Sequence, residues 1–223
     1  QGNKKRLNFD FERFKKFKHK INYQVIEKFP GDISNWQREN YQRNFIENGI
    51  SDCDDNDYII ISDVDEIPDL KKIKNLQNNK FTVFQQKMFY YKFNLLNATD
   101  PFWYGTKICK KKYLKSPQWL RNIKTSKPSF WKFYKPRQPQ LIYEGGWHFS
   151  FLKEPKGISK KIKSYSHSEY NKLEFTDEKK IEERIKNKTD IFDRNFMYEK
   201  VDLDETFPKY ILNNINKYQK WII

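Results

Sequence analysis

The chain has 223 residues, a formal net charge of +15 and many aromatic residues, with 19 Phe, 14 Tyr and 6 Trp. A chain of this length can bury the core of one ordinary domain, and so many bulky side chains exclude a disordered chain despite its polar average. Two cysteines without a C-x-x-C spacing exclude a disulfide framework. No apolar run reaches the roughly 20 residues that a membrane-spanning helix needs.

The surplus of Lys and Arg leaves several anionic partners open: nucleic acid, a membrane surface or a charged small substrate. The Lys residues are spread over many segments, which is also what an AT-rich coding sequence produces. No signal peptide is visible. The sequence therefore predicts a cytoplasmic or peripheral membrane location.

The first half of the chain alternates between helix and strand signals. Ser34 is a typical N-cap and Gly49 a typical helix end. Tyr58–Ile61 is a short apolar run, typical of a buried parallel strand, and Pro68 favours the first turn of a helix. In chain order, the predicted elements are a short helix at 11–18, a strand at 21–26, a helix at 35–48, a strand at 58–61 and a helix at 68–76.

The second half is more mixed. Its predicted elements are strands within 81–93 and 141–151, helices at 156–164 and 178–186, and a last helix from Pro208 towards Tyr218. Together the two halves predict an α/β core with an appended β-rich part.

An acidic motif follows the predicted strand at Tyr58–Ile61. Asp63 and Asp65 are two residues apart, so in extended backbone they point to the same side. Mg²⁺ or Mn²⁺ would relieve their repulsion and is typically bound by one or two carboxylates plus substrate phosphates. An acidic turn without a metal stays open as an alternative. An EF-hand does not fit, because Asp57 stands where that loop needs Gly.

A second motif is Gly145-Gly146-Trp147-His148. Two glycines permit a close backbone approach, the Trp147 ring offers a face for a sugar or base, and His148 could complete a metal site. A buried structural histidine is the alternative. Farther along, His167 is two residues from Glu169. The two side chains could belong to the functional site or could form an ion pair on the surface.

Three segments resemble glycosyltransferase family 17: Trp36 to Asn44, Ile61 to Pro68 and Gly145 to Ser150. The resemblance implies a GT-A-like (Rossmann-like) α/β fold, with a mixed sheet flanked by helices. It also implies a UDP-sugar donor carrying N-acetylglucosamine, inversion at the anomeric carbon, and Mn²⁺ or Mg²⁺ as cofactor. A glycan or glycoconjugate acceptor is the second expected partner, and nucleic acid is not expected.

The same resemblance places three residues at the metal site. The metal ligands are Asp63, Asp65 and His148. Inversion by a single displacement needs one general base that is not a metal ligand, and Glu169 and then Glu144 are the candidates. For both, a plain surface carboxylate is the alternative.

Four residues are expected to contact the donor. Arg43 and Asn44, late on the helix before the acidic motif, could contact its phosphate or sugar, and an exposed helix arginine is the alternative for Arg43. Glu66 would hydrogen-bond sugar hydroxyls or orient the metal motif, and Trp147 would stack on the sugar or base.

Family members begin with an acidic segment and a first strand upstream of the stretch matched by Gln1. Residues 1–223 are therefore expected to be a single glycosyltransferase domain, truncated at its N-terminus and lacking its first strand. One of the strands at 21–26 and 58–61 should then have an unpaired side.

Two other functions stay open. A basic nucleic-acid-binding module would use the Lys and aromatic residues between Phe9 and Lys20. A non-catalytic carbohydrate-binding relative of the enzyme would keep the fold without the reaction.

Overall fold

A computed structural model describes residues 9–76, 79–126, 138–164 and 167–223. Within those ranges the strands are β1 (Tyr58–Ile61), β2 (Glu66–Pro68), β3 (Phe81–Phe84), β4 (Gln86–Tyr90), β5 (Leu95–Asn97), β6 (Phe102–Trp103), β7 (Lys107–Lys110), β8 (Gln140–Ile142), β9 (Gly146–Ser150) and β10 (Tyr198–Lys200).

The α-helices of the described residues are α1 (Asn35–Asn44), α2 (Pro117–Arg121), α3 (Pro155–Ser164), α4 (Leu173–Thr176), α5 (Glu178–Asn187), α6 (Lys209–Leu212) and α7 (Ile215–Tyr218). The 3₁₀ helices are Lys15–Lys20, Phe45–Gly49, Leu70–Asn75, Lys111–Tyr113, Ser168–Tyr170 and Gln219–Trp221. None of the described helices is long and apolar enough to cross a membrane.

The strands form two mixed sheets. The first has the order β1-β7-β3-β8, in which only β3 and β8 pair in parallel. The second has the order β10-β5-β4-β9-β2, with β6 also paired to β4, and its parallel pair is β4 with β9. Consecutive described strands lie in different sheets at five points: after β1, after β2, after β3 at Gln85, after β6 and after β8. The structure is therefore a mixed α/β protein with helices packed on its sheets, as the sequence predicted in outline.

The central strand β4 of the second sheet is buried on both faces. Its neighbouring residues point to opposite sides of the sheet, and each side is covered by a hydrophobic cluster. On one face, Tyr90 belongs to a cluster with Ile158 and Ile162 of α3 and Ile181 of α5. On the other face, Phe89 belongs to a cluster with C-terminal residues that include Phe207 and Ile211. Each fully buried side chain of this size contributes roughly 1.5–3 kcal/mol. The packing holds β9, and with it the predicted site histidine, in a fixed position.

The first sheet packs against α2. Ile59 and Ile61 of β1 form a cluster with Leu120 and Ile123, and Leu120 is completely buried. The helix begins with Ser116 as its N-cap, whose hydroxyl accepts a hydrogen bond from a backbone N–H. The packing of Leu120 and Ile123 against β1 holds α2 beside the end of that strand.

Several predicted elements are confirmed. Ser34 forms a capping box with Gln37 at the start of α1, and the helical path continues as a 3₁₀ helix to Gly49. β1 matches its predicted bounds, but the prediction of a parallel strand is wrong. Among the described residues β1 is an edge strand that pairs only with β7, and that pairing is antiparallel. The helices α3 and α5 begin and end within one residue of their predictions.

Other predicted elements are wrong. Residues 21–26 form no strand, because this exposed segment pairs with no strand among the described residues. Pro68 ends β2 instead of starting a helix, since the chain there pairs with Gly146 of β9, and a short 3₁₀ helix follows. The last helix is broken into α6 and α7, where Asn214 donates its side-chain amide to the Tyr210 carbonyl at 2.8 Å.

Candidate active site

The candidate site lies where the chain leaves β1 and enters β2. The Asp63-Val64-Asp65 loop joins the two sheets, and the Val64 side chain is fully exposed. The Asp63 N–H donates to the Glu66 carboxylate at 3.0 Å, and the Phe149 N–H donates to the Asp65 carbonyl at 2.9 Å. These hydrogen bonds hold the loop against β2 and β9, and the loop presents its carboxylates at one end of the sheets.

Glu66 is the buried anchor of this loop, with a residue exposure of 5%. Arg121 donates to Glu66 Oε2 at 2.7 Å and also contacts Oε1, while Trp103 Nε1 donates to Oε1 at 2.5 Å. Burial alone would raise the pKa of Glu66, but the hydrogen bond and charge of Arg121, helped by Trp103, lower it overall. Glu66 therefore stays ionised and orients the loop.

A glycine makes this anchor possible. A Cβ at Gly105 would lie 1.9 Å from Glu66 Oε1 and 2.2 Å from Trp103 Nε1. No side chain larger than hydrogen fits there unless Glu66 and Trp103 move apart.

Asp63 lies between two largely buried arginines. Arg121 Nη2 approaches Asp63 Oδ2 at 2.8 Å, and Arg43 Nη2 approaches Oδ1 at 3.2 Å. Arg43 also donates to Gln118 Oε1 of α2 at 2.5 Å and lies 3.3 Å from Glu39. The Asp63 side chain is still 41% exposed, so an arginine-rich and partly open surface surrounds it.

Asp65 has different partners. His148 Nε2 is 3.6 Å from Asp65 Oδ1, and Lys161 Nζ of α3 is 3.1 Å from Oδ2. Asp65 and His148, two of the three expected metal ligands, thus lie side by side. Burial tends to raise the pKa of Asp65, but the adjacent His148 ring and the Lys161 ammonium group lower it well below its ordinary value. The carboxylate is fully ionised at neutral pH.

The donor set around Asp65 fits a divalent cation. His148 is buried on β9, paired with Glu66 of β2, and its Nδ1 has no hydrogen-bond partner among the described residues. One carboxylate and one imidazole would leave the remaining positions to phosphate and water oxygens, as Mg²⁺ and Mn²⁺ sites commonly do. Among the described residues, no group of three or more His, Cys, Asp or Glu side chains is placed to hold a metal ion, and Asp63 is turned to the arginines.

A cleft of about 770 Å³ opens beside Asp63. Arg43 and Arg121 form part of its wall, and the exposed rings of Trp36 and Trp103 form another part. The other lining residues are Glu39, Asn40, Asp100, Phe102, Tyr104, Gly105, Gln118 and Asn122. Aromatic faces mixed with amides and carboxylates match the apolar faces and the hydroxyl groups of a sugar.

Some predicted donor contacts have structural roles here. Asn44 Oδ1 accepts the Gln118 N–H of α2 at 2.9 Å, so it helps to fix that helix. Trp147 follows Gly146 on β9, faces away from His148 and packs against the cluster around Phe89. Among the described residues, neither is part of the cleft wall.

The two candidate general bases lie in different places. Glu169 Oε1 is 2.7 Å from His167 Nδ1, and the His167 ring is 4.6 Å from the ring of Trp36 in the cleft wall. The His167 hydrogen bond lowers the pKa of Glu169. Glu144 is exposed in the turn before β9, 3.8 Å from Lys72. The structure thus brings Glu169, through His167, to the edge of the cleft and leaves Glu144 in a separate turn.

Sequence reasoning missed Arg121, Lys161 and Trp103. Ser116-Pro117 is a helix-start signal that could have placed α2, and Arg121 ends that helix. For Lys161 and Trp103 the sequence carries no comparable signal, because their partners lie far away in the chain.

The structure is thus that of a mixed α/β protein in which carboxylates at the end of a strand form ion pairs with arginines, beside a cleft lined in part by aromatic rings. The chain belongs to glycosyltransferase family 17, because the model of that family matches residues 1–220. It is therefore a glycosyltransferase, with a sugar donor and an acceptor as its partners, and the predicted resemblance is confirmed. No curated protein and no solved structure matches the chain.

Proposed function

We propose that the chain transfers N-acetylglucosamine from a UDP-sugar to a hydroxyl group of a glycan or glycoconjugate. Inversion at the anomeric carbon, a divalent cation (Mn²⁺ or Mg²⁺), a GT-A arrangement and a single catalytic domain over residues 1–223 belong to the same proposal. One observation supports it most directly in a chain of family 17. Asp65 lies in the same strand-end loop as Asp63, and its Oδ1 is 3.6 Å from His148 Nε2.

Asp65 and His148 would hold the cation, with Asp63 beside them. When bound, the cation would offset the negative charge that develops on the departing diphosphate. Arg43 and Arg121 would supply fixed positive charge on the same side. Guanidinium groups suit phosphate oxygens because their N–H groups form a planar fork.

The reaction also needs a base on the acceptor side. As the acceptor oxygen forms its bond to the anomeric carbon, the diphosphate leaves with the electron pair of the broken bond. The base takes the hydroxyl proton. Glu169 is the first candidate, because it lies near Trp36 at the cleft edge through His167, and Glu144 is the second. Trp36 and Trp103 would stack against sugar faces.

The side chains of the three other residues expected to contact the donor are engaged elsewhere in the structure. Glu66 acts chiefly by orienting the loop, and Asn44 by fixing α2. Trp147 could reach a donor only from the opposite face of β9. We retain these three as secondary candidates.

The test is product analysis by mass spectrometry, with a panel of UDP-sugars and glycan acceptors and added Mn²⁺. The wild-type chain should add one sugar to at least one acceptor, and Asp65→Asn should reduce the yield at least about 100-fold, the scale of losing one charge-stabilising group. Asp202→Asn, an exposed carboxylate outside the cleft wall, is the matched control. Product formation that is equal in both variants would reject the role of Asp65.

A further inference from the structure

An aromatic row lies near the start of the described chain. The Phe14 N–H donates to the Phe11 carbonyl at 3.2 Å, and the Phe17 N–H donates to the Phe14 carbonyl at 2.8 Å. Because residues three apart eclipse one another in such 3₁₀ turns, these three rings lie on one face. Their exposures are 50%, 37% and 48% for Phe11, Phe14 and Phe17. Apolar rings exposed in a row are unusual for a free surface.

Positive charges flank this aromatic row. The exposed cations of the segment are Arg13, Lys15, Lys16, Lys18 and Lys20. Asp10 and Glu12 are its acids, so residues 9–20 carry a surplus of three positive charges with His19 neutral. Glu12 lies 3.8 Å from Lys15, but both side chains are largely exposed and their attraction is weak. The segment therefore combines apolar contact area with a positive field.

The ring geometry distinguishes two anionic partners. Base stacking on a single-stranded nucleic acid needs a free ring face. Phe14 is stacked on Phe9 at 5.2 Å and is also covered by Arg13, while Lys16 lies over Phe17. Phe9 is stacked on Tyr23 as well. Insertion between lipid headgroups needs only exposed ring edges, so the arrangement favours a membrane surface.

We propose that the Phe11, Phe14 and Phe17 row docks this protein onto an anionic phospholipid bilayer. The rings enter the boundary between headgroups and acyl chains, and the flanking lysines lie at the level of the lipid phosphates. This surface is independent of the glycosyl transfer proposed above, because none of its residues belongs to the cleft wall.

The experiment is cosedimentation of the full chain with lipid vesicles. One set is phosphatidylcholine alone, and the other contains about 30% phosphatidylserine, so that the surface is negative. The wild-type protein should partition at least about tenfold more strongly to the anionic set, and added salt should weaken this binding. Phe11→Ser with Phe17→Ser should lower partitioning at least about tenfold, because two inserted rings are lost.

Charge reversal tests the second half of the proposal. Lys15→Glu with Lys16→Glu should abolish the preference for anionic vesicles, whereas Lys179→Glu with Lys180→Glu on α5 should leave it largely intact. Thermal midpoints close to that of the wild type would show that the variants are folded. Equal partitioning to both vesicle sets would overturn the proposal. Binding of a single-stranded oligonucleotide, lost in the Phe variants while vesicles are not bound, would assign the row to nucleic acid instead.

Discussion

At the scale of single residues, the site is organised by charge neutralisation. Arg121 contacts both Asp63 and Glu66, and Lys161 contacts Asp65, so each acidic side chain has a cation beside it. Glu66 is the most buried of the three, and its ionised state depends on Arg121. The arginine is therefore a structural requirement as well as a candidate phosphate contact.

Replacing Arg121 by Gln should destabilise the protein by about 3–5 kcal/mol, because Glu66 would remain as a buried carboxylate without its cation. Urea unfolding followed by circular dichroism measures the change. Arg13→Gln, at an exposed position, should change the free energy of unfolding by less than about 0.5 kcal/mol. An unfolding midpoint of Arg121→Gln equal to that of Arg13→Gln would contradict this account of the anchor.

Lys161 would compete with the proposed metal ion for Asp65, since its ammonium group lies 3.1 Å from one carboxylate oxygen. Like charges only a few ångströms apart repel by about 1 kcal/mol or more even in a high dielectric. Lys161→Met should therefore tighten Mn²⁺ binding by about tenfold, measured as free Mn²⁺ by electron paramagnetic resonance. Lys160→Met, exposed on the same helix, is the control. Equal Mn²⁺ affinity of the two variants would show that Lys161 does not compete.

At the scale of elements, the site depends on the close approach of β2, α2 and the turn between β6 and β7. Gly105 in that turn leaves room for Glu66 and the Trp103 ring to meet. The space is the result of tertiary packing, because the three elements are separated by many residues in the chain.

Gly105→Ala should destabilise the protein by about 1–3 kcal/mol, the usual cost of forcing extra volume into a packed region. It should also weaken donor binding, because Glu66 and the loop it orients must shift. Differential scanning calorimetry checks the stability change. Gly49→Ala is the matched control, since its nearest neighbour would be 3.7 Å from the new Cβ. Similar melting temperatures for both variants would argue against a required glycine.

Local signals predicted the elements that depend on neighbours in sequence. Ser34 carries its own capping partner three residues later, and Tyr58–Ile61 is apolar throughout, so the sequence alone located α1 and β1. The helix predicted from Pro68 does not form there because Pro68 pairs with Gly146 of β9, far along the chain. Residues 21–26 have the alternation of a strand but gain no neighbouring strand. Strand pairing is a tertiary property that a local pattern does not encode.

The site shows the same division. The acidic motif and His148 could be found by residue type and spacing, and the structure brings Asp65 and His148 together. Arg121 and Lys161, the cations that pair with Asp63 and Asp65, could not be found in this way, because they reach the loop from α2 and α3. Trp147 is next to His148 in the sequence, but neighbouring strand residues face opposite sides, so its ring packs against the cluster around Phe89.

At the scale of the whole molecule, stability depends on buried carboxylates that stay ionised. Asp190 is 2% exposed, and it accepts hydrogen bonds from Arg194 and Tyr198. Burial tends to raise the pKa of Asp190, but these partners lower it overall. A depressed folded-state pKa contributes stability above the unfolded value of about 3.9, and that contribution is lost as the pH falls through the folded value.

The free energy of unfolding should therefore fall as the pH is lowered from about 5 to about 3. In Asp190→Asn the fall should be smaller, although this variant is less stable at neutral pH because Arg194 loses its partner. Asp202→Asn should keep the wild-type slope, since Asp202 is exposed. Guanidinium titrations at several pH values measure the slopes. If the free energy of unfolding of Asp190→Asn falls with pH as steeply as that of the wild type, Asp190 is not the source of the pH dependence.

In the proposed function, the acidic loop and the arginines beside it, Arg43 and Arg121, would together hold a cation and a diphosphate. Calorimetric titration of UDP with and without Mn²⁺ tests this claim most directly, using the wild-type protein, Asp65→Asn and the exposed control Asp202→Asn. Mn²⁺ should tighten UDP binding at least about tenfold in the wild type and in Asp202→Asn, and should have no effect in Asp65→Asn. Enhancement by Mn²⁺ that survives in Asp65→Asn would contradict the account.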